Sequence, residues 1–268
     1  MKKILVLVSF VATSFFGSAV FAAGGHGAVT DKVYMNMSDK ASLQNGAKLF
    51  VNYCLSCHSA GYSRYNRVAE DLDIPLWQLK ENLMFTTEKE GDLMETTMPE
   101  EDAKRWFGVA PPDLSLVARV RKPDWIYTYL RAFYQDESTP SGWNNSLFEN
   151  VAMPHAMYEL QGVQRFVGKV DKGDGQGAID AHAASAVATD LVGTQRVVGD
   201  AIFELEHPGK LTPEEFDTAM TDLTAFLAYL AEPAQLQRKS IGVLTMIFLV
   251  LLLLLCMALK HEYWRDVH

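Results

Sequence analysis

Apolar residues are concentrated in two long runs near the ends of the chain, and between these runs they recur mostly at helical spacing. The run at 241–259 holds nineteen residues without a charge. As a helix rising about 1.5 Å per residue it would be about 29 Å long, which matches a hydrocarbon core of ~30 Å. Basic residues flank the run on both sides. This pattern predicts one transmembrane helix near the C-terminus.

The first 22 residues have the layout of a secretory signal peptide. Lys2 and Lys3 precede an apolar stretch, and residues 20–22 form a small-x-small cleavage site that ends at Ala22. The alternative is a second membrane anchor, but several Ser, Thr and Gly residues make the stretch less apolar than an anchor. Under either interpretation the body of the chain lies outside the cytoplasm, which leaves residues 260–268 inside.

The chain between the two runs is predicted to be mainly α, with long loops. One helix begins near Ser42, whose hydroxyl can cap it. Gly46 in its middle costs about 1 kcal/mol relative to alanine, which is explained by a second helix crossing closely there or, alternatively, by a tolerant surface position. Another begins at Thr212, where a capping box with Pro213 in first position precedes a long apolar stripe. Further helix starts are predicted near Asp73, Met98, Asp113 and Asp124. Loops are predicted at 135–145 and across 167–200.

The candidate chemistry lies in Cys54-Leu55-Ser56-Cys57-His58, a C-x-x-C-H run. On a helical turn, residues three and four apart share a face, so both thiols can add to one porphyrin while His58 binds its iron. This run is the attachment motif of a c-type haem. Half of a zinc site and a thioredoxin-like dithiol are the alternatives. The only other thiol, Cys256, lies within the C-terminal apolar run, which favours haem.

A second iron ligand has to be chosen among eleven methionines. Met153 has apolar neighbours, and the proline after it favours an extended backbone, which suits a strap across a haem face. A methionine thioether opposite histidine also raises the reduction potential of a haem. Met98 likewise precedes a proline but is followed by three acidic residues. We therefore predict Met153 as the ligand, with Met98 and His155 as alternatives.

Two arginines are candidates for holding a haem propionate. Arg119 and Arg121 follow a stiff segment that contains Pro111 and Pro112. The guanidinium group binds carboxylates in a fork geometry, so either arginine can hold an anionic propionate. The alternative is an exposed basic helix end that complements the helix dipole.

The charge of the chain limits its partners. It carries 33 acidic and 24 basic residues, a formal net charge of −9, which becomes −11 once the two lysines of the first 22 residues are removed. Such a surface disfavours nucleic acid and favours a basic protein partner.

Four motifs in order make the chain resemble the cytochrome c1 family: CLSCHS at 54–59, APPDLS at 110–115, NVAMPH at 150–155 and AEPAQLQRKSIG at 231–242. The signal peptide, the single C-terminal anchor and the ending EYWRDVH agree with it. Residues 167–200 have no match, and the extra cysteine pair that some members use as a disulfide is absent. The resemblance implies one covalent haem c. It assigns the thioether links to Cys54 and Cys57, the axial ligands to His58 and Met153, a propionate to Arg121, and ring contacts to Pro111 and Pro112.

The resemblance also implies a function: one-electron transfer in a quinol–cytochrome c oxidoreductase, the cytochrome bc1 complex. The Rieske iron–sulfur protein would reduce the haem, and a soluble cytochrome c would accept the electron. Cytochrome b and membrane lipid would surround the anchor in a dimeric complex, and the chain would not be catalytic alone. A membrane-anchored c-type cytochrome that feeds a terminal oxidase by itself, or a haem enzyme such as a peroxidase, are the alternatives.

The implied division of the chain has three parts. Residues 1–22 are the signal peptide, 23–236 form a periplasmic c-type haem domain, and 237–268 form the transmembrane anchor with a short cytoplasmic tail. The expected location is therefore the inner membrane, with a single span and the haem domain in the periplasm.

Overall fold

The computed structural model describes residues 29–170 and 195–265, so the predicted signal peptide lies outside the described residues. The helices in these ranges are α1 Lys40–Leu49, α2 Tyr65–Asp71, α3 Leu76–Asn82, α4 Glu100–Phe107, α5 Val117–Arg121, α6 Pro123–Arg131, α7 Tyr158–Gln161, α8 Pro213–Ala231 and α9 Gln235–Trp264. The strands are β1 Ala60–Arg64, β2 Leu93–Met94, β3 Phe133–Gln135, β4 Trp143–Asn145, β5 Gly162–Lys169, β6 Gln195–Val198 and β7 Ala201–Pro208. The mainly α prediction is confirmed, with short strands between the helices.

Helix α8 lies at the centre of the fold and contacts α1, α5 and α6. Its predicted capping box is confirmed, because the Thr212 hydroxyl accepts from the Glu215 amide at 3.3 Å and the Glu215 carboxylate accepts from the Thr212 amide at 2.9 Å. The predicted apolar stripe is buried along its whole length: Phe216, Ala219, Met220, Leu223, Phe226, Leu227 and Leu230. Burial of that stripe holds the surrounding helices together.

Helix α1 crosses α8 at Gly46, as the sequence predicts. A Cβ added at Gly46 would lie 2.2 Å from the Asp222 carbonyl oxygen and 2.7 Å from the Phe226 Cβ. One turn further on, the rings of Phe50 and Phe226 pack with centroids 5.6 Å apart. Only glycine lets the two backbones approach this closely.

We expect Gly46→Ala to destabilise the protein by about 2–3 kcal/mol, because overpacking against a backbone oxygen outweighs the better helix propensity of alanine. The measurement is the urea midpoint of the haem-loaded protein. Gly91→Ala is the matched control, since nothing lies within 4 Å of a Cβ added there. Equal midpoints for the two variants would contradict a close crossing.

Three predicted helix caps are wrong. Helix α1 begins two residues before Ser42, and Asp39 caps it by accepting from the amides of Ala41 and Ser42 at 3.1 and 3.2 Å. Asp113 and Asp124 are not N-caps either. Each carboxylate instead binds a distant amide: Asp113 accepts from Gly61 at 2.8 Å and Asp124 accepts from Val33 at 3.1 Å. The carboxylates of Asp113 and Asp124 therefore accept hydrogen bonds in tertiary contacts and do not cap helices α5 and α6.

The segments predicted as loops contain strands. The first forms an antiparallel hairpin in which β3 pairs with β4 from Phe133–Asn145 to Gln135–Trp143. The second contributes the end of β5 and all of β6 to an antiparallel sheet ordered β5-β7-β6. Gly199, in the turn between β6 and β7, has φ +63°, and its amide donates to Asp31 at 3.0 Å. Residues 171–194 lie outside the described part of the chain.

A buried ion network, which the sequence analysis did not predict, joins four parts of the fold. Arg131 on α6 is 6% exposed and binds Asp217 on α8 through Nε at 2.7 Å and Nη2 at 3.0 Å. Its Nη1 binds Asp31 in the N-terminal segment at 2.8 Å, and Arg196 on β6 reaches Asp217 at 2.7 Å. The network thus fixes α6, which carries part of the candidate site, against α8 and the sheet.

The predicted C-terminal transmembrane helix is confirmed as an uninterrupted helix. Within the described residues, one helical segment, Ile241–Trp264, is long and apolar enough to cross a membrane, and none of its apolar window is buried inside the chain. It continues from Gln235, directly after the break at Glu232–Ala234 that ends α8. This geometry is consistent with a single membrane anchor.

Candidate haem-binding site

The C-x-x-C-H run forms a compact turn at the end of α1. Helix α1 passes into a π-helical turn at Phe50–Cys54, where the Leu55 amide donates to the Phe50 carbonyl at 2.9 Å. The amides of Cys57 and His58 then both donate to the Cys54 carbonyl, at 3.0 and 2.8 Å. The predicted helical turn is therefore present, and a π-bulge of this kind is frequent at functional sites.

His58 is oriented by one hydrogen bond across the fold. Its Nδ1 lies 2.7 Å from the Pro112 carbonyl oxygen. A carbonyl can only accept, so Nδ1 carries the proton and Nε2 keeps the lone pair that can bind a metal. Burial lowers the pKa of His58, with the Pro112 carbonyl and the Asp113 charge acting in the opposite direction. The imidazole is thus in the neutral form that coordinates iron.

The thiols fit a thioether link better than a zinc site. Cys54 is buried, and this burial raises the pKa of its thiol to about 12, with the neighbouring Cys57 adding to the effect. Zinc requires the charged thiolate, which is costly in apolar surroundings, whereas a thioether carries no charge. Within the described ranges, no group of three or more His, Cys, Asp or Glu side chains is arranged to hold a metal ion.

The segment with the two prolines is fastened to the C-x-x-C-H turn. The Leu114 amide donates to the Ser59 carbonyl at 2.8 Å, and the Ser115 hydroxyl accepts from the Tyr62 amide at 3.1 Å. These bonds place the Pro112 carbonyl on His58. Pro111 is half-buried and Pro112 is exposed, so their predicted contact with a haem ring stays a prediction.

A chain of contacting aromatic rings, which we call the aromatic column, begins with Trp125 and Tyr129 on α6 and continues through Phe133 on β3 to His155. Trp125 and Tyr129 stack with centroids 4.9 Å apart, and Tyr129 meets Phe133 edge-on at 5.1 Å. The His155 ring lies parallel to that of Phe133 at 5.0 Å. The column is buried or half-buried along its length, and it links α6 to the segment that contains Met153.

The two candidate arginines lie in different surroundings. The exposed Arg121 guanidinium lies over the Trp125 ring at 5.0 Å, at one end of the aromatic column. Arg119 forms an ion pair with Glu232, 3.7 Å away, beyond the end of α8. Arg121 therefore contacts the Trp125 end of the aromatic column, whereas Arg119 pairs with Glu232.

Both candidate methionines are half-buried, and each is near a different part of the site. The Tyr129 hydroxyl donates to the Met153 sulfur at 3.4 Å, at the centre of the aromatic column. Met98 follows Thr96, whose hydroxyl donates to the Ser56 carbonyl at 2.7 Å on the C-x-x-C-H turn. The predicted choice of Met153 thus stays a prediction, and a substitution pair can decide it.

The sequence analysis missed Trp125 and Tyr129. A usable signal was present, because Arg121, Trp125, Tyr129 and Phe133 recur at intervals of four. Residues four apart share one helix face, which holds for Trp125 and Tyr129 on α6, whereas Arg121 ends α5 and Phe133 begins β3. Their contacts with Met153 and His155 depend on the tertiary structure.

The chain is similar to known proteins over most of its length. The sequence model of the Cytochrome C1 family matches residues 30–194 and 207–267. The chain is 43% identical to cytochrome c1 of Allochromatium vinosum over 268 residues, all of both chains. It is 43% identical to the ammonia monooxygenase gamma subunit of Nitrosomonas europaea over 238 residues, 89% of this chain and 88% of that protein. It is 24% identical to cytochrome b/c1 of Bradyrhizobium diazoefficiens over 262 residues, 86% of this chain and 34% of that protein.

Proposed function

Since the chain belongs to the cytochrome c1 family, we propose that it transfers single electrons from a Rieske iron–sulfur protein to a soluble cytochrome c within a quinol–cytochrome c oxidoreductase. Membership makes it an electron-transport protein with a covalent haem c, and a subunit of a multi-subunit respiratory complex. The observation that carries the proposal is the C-x-x-C-H turn, with His58 held by the Pro112 carbonyl at 2.7 Å.

Each predicted site residue has a role in this proposal. Cys54 and Cys57 attach the haem, and His58 binds the iron through Nε2. Met153 supplies the second ligand, a soft neutral sulfur that favours the reduced state. Bound haem supplies the one-electron redox chemistry. Two contacts support the ligands: the Pro112 carbonyl orients the imidazole, and the aromatic column contacts the sulfur through Tyr129.

The remaining predicted contacts concern the edge and face of the haem. Arg121 binds a propionate with its guanidinium, which the Trp125 ring holds at one end of the column. Pro111 and Pro112 pack against the ring face beside His58. Both proline rings are rigid, so they lose little conformational entropy on making such a contact.

The location and the partners complete the proposal. Residues 1–22 direct export, 23–236 form the periplasmic haem domain, and 237–268 form the anchor and cytoplasmic tail in the inner membrane. Cytochrome b lies beside the anchor, a pairing supported by the name of the relative cytochrome b/c1, and the complex is dimeric. Without the first 22 residues the chain carries −11, so a basic soluble cytochrome c is attracted electrostatically.

The test is purification of the tagged full chain from its native membranes in mild detergent. We expect b-type haem and an iron–sulfur protein to co-purify with haem c, and the preparation to reduce soluble cytochrome c with quinol. Haem c alone, with transfer to a terminal oxidase, would instead show a stand-alone anchored cytochrome. Co-purification with a monooxygenase, as the name of the Nitrosomonas relative suggests for that protein, would also contradict the proposal.

A charge-removing substitution tests the propionate contact. Arg121→Gln leaves a carboxylate without its charge-assisted hydrogen bond, which is worth about 1.5–3 kcal/mol. We expect a lower thermal midpoint of the haem-loaded protein and a shifted reduction potential. Arg119→Gln is the matched control, because Arg119 pairs with Glu232, and its effect on the potential should be much smaller. Equal shifts in potential would reject the assignment of Arg121.

A further inference from the structure

The hydrogen bond between the Tyr129 hydroxyl and the Met153 sulfur has no role of its own in the function proposed above. The Tyr129 hydroxyl lies 3.4 Å from the Met153 sulfur and donates to it. A thioether is a weak acceptor, so the half-buried Tyr129 hydroxyl gains little stability from this contact alone. The pairing therefore points to a function at the sulfur.

The position of the Tyr129 ring is fixed by contacts on both sides and by its backbone. Its ring lies between Trp125, stacked at 4.9 Å, and Phe133, in edge contact at 5.1 Å. Its carbonyl accepts from the Asn145 side-chain amide at 2.8 Å, which joins α6 to the β3–β4 hairpin. A donor fixed on a helix positions its partner more precisely than one on a loop.

Met153, in contrast, lies on irregular backbone between the β3–β4 hairpin and α7. Its side chain has three rotatable bonds and adapts easily to its surroundings. Residues on either side of Met153 are fixed by contacts that do not involve its sulfur. The Asn150 amide donates to the Asn144 side chain at 2.9 Å, and the His155 ring stacks on Phe133. The hydroxyl of Tyr129 is thus the polar contact that acts on the sulfur itself.

A thioether sulfur has two lone pairs, and iron ligation uses one of them. A hydrogen bond to the other withdraws electron density from the sulfur, which weakens its donation to ferric iron more than its binding to ferrous iron. Hydrogen bonds to ligand atoms are a known means by which proteins tune metals. The reduced state is therefore favoured.

We infer that Tyr129 is a positioning residue of the iron site: its hydroxyl orients the Met153 sulfur and raises the reduction potential. This inference rests on the proposed function, because it requires Met153 to be the second ligand. It adds a residue that tunes the electron-accepting strength of the site from the side of α6.

The test is Tyr129→Phe in the full chain within its purified complex, with Tyr127→Phe as the matched control. Phenylalanine keeps the ring stack and removes only the hydroxyl. Tyr127 lies on the same helix but packs its ring on Arg131, at 4.3 Å, so its hydroxyl does not reach the site. Three readouts are needed: the near-infrared sulfur-to-iron band, the reduction potential by redox titration, and the thermal midpoint.

We expect Tyr129→Phe to keep its thermal midpoint and its near-infrared band while the potential falls. The one-electron equilibrium should move toward the oxidised state by about three- to tenfold, the size of one modest hydrogen bond, where tenfold corresponds to about 59 mV. Loss of the band at an unchanged thermal midpoint would also support the inference, because the sulfur then depends on the hydroxyl for its position. Tyr127→Phe should leave the band and the potential unchanged.

Two results overturn the inference, and they are distinguishable. If the wild-type protein shows the band and both variants keep the wild-type potential, Tyr129 does not act on the sulfur although Met153 is the ligand. If the wild-type protein lacks the band, the assignment of Met153 in the proposed function fails, and the inference fails with it. If Tyr129→Phe does not give folded protein, the wild type is measured by resonance Raman spectroscopy in H2O and in D2O. An iron–sulfur stretching frequency that is the same in both solvents rejects the hydrogen bond.

Discussion

We expect Met153→Leu to fold and to retain covalent haem but to lack the second iron ligand that we propose at Met153. Leucine has nearly the volume of methionine, so the cost in stability stays below about 1.5 kcal/mol. The near-infrared sulfur-to-iron band disappears, and the reduced protein binds carbon monoxide at the open position. The potential falls because a sulfur ligand no longer favours ferrous iron, and reduction by a high-potential donor drops by at least about tenfold, the effect of 59 mV for one electron.

Met98→Leu is the matched control for this substitution. Both methionines precede proline and both are half-buried, so a general effect of removing a thioether would appear in both variants. The surroundings differ, because Met153 meets the aromatic column while Met98 precedes the acidic first turn of α4. Carbon monoxide binding by the Met98 variant and not by the Met153 variant would transfer the ligand to Met98.

Asp217→Asn removes the charge that holds two arginines and destabilises the haem domain by about 3 kcal/mol. Breaking a buried ion pair costs about 3–5 kcal/mol, and we take the lower end because the Asp217 side chain is 32% exposed. The substitution leaves Arg131 with Asp31 as its remaining carboxylate partner and deprives Arg196 of its bond to Asp217. Burial lowers the pKa of Arg196 and Asp217 acts in the opposite direction, so removal of the carboxylate leaves a buried guanidinium charge without this compensation.

The measurement for Asp217→Asn is the denaturant midpoint of the haem-loaded protein. Glu204→Gln serves as the control, because the Arg165–Glu204 pair is partly exposed on the sheet. Exposed pairs contribute about 0–1 kcal/mol, so this variant should differ little from wild type. Similar midpoints for the two variants would show that the network around Asp217 contributes no more than a surface ion pair.

The sequence alone correctly predicted the features that are formed by residues close together in the chain. The C-x-x-C-H turn, the capping box at Thr212 and the apolar stripe of α8 each lie within a few turns of one helix, and the structure contains all three. The close crossing at Gly46 was also predicted, because a glycine inside a helix is unfavourable unless another backbone needs the space. The uninterrupted apolar run likewise determined α9.

The sequence alone did not predict the features in which a side chain or strand pairs with residues far away in the chain. Asp113 and Asp124 have the composition of N-caps, yet their carboxylates bind amides 52 and 91 residues away. Residues 133–145 are rich in turn residues, which predicts a loop. The structure instead pairs β3 with β4 in this segment. Such pairings are set by packing on the rest of the fold, which periodicity within a short window does not report.

For the candidate site, the sequence determined the residue types and their spacing, and the tertiary structure decided their partners. Cys54, Cys57 and His58 are neighbours in the chain, so their geometry follows from one turn. The Pro112 carbonyl reaches His58 across 54 residues, and the Tyr129 hydroxyl reaches Met153 across 24. Those contacts form because α6 and the proline segment pack on the same core, and the free energy of that packing comes from apolar burial over the whole domain.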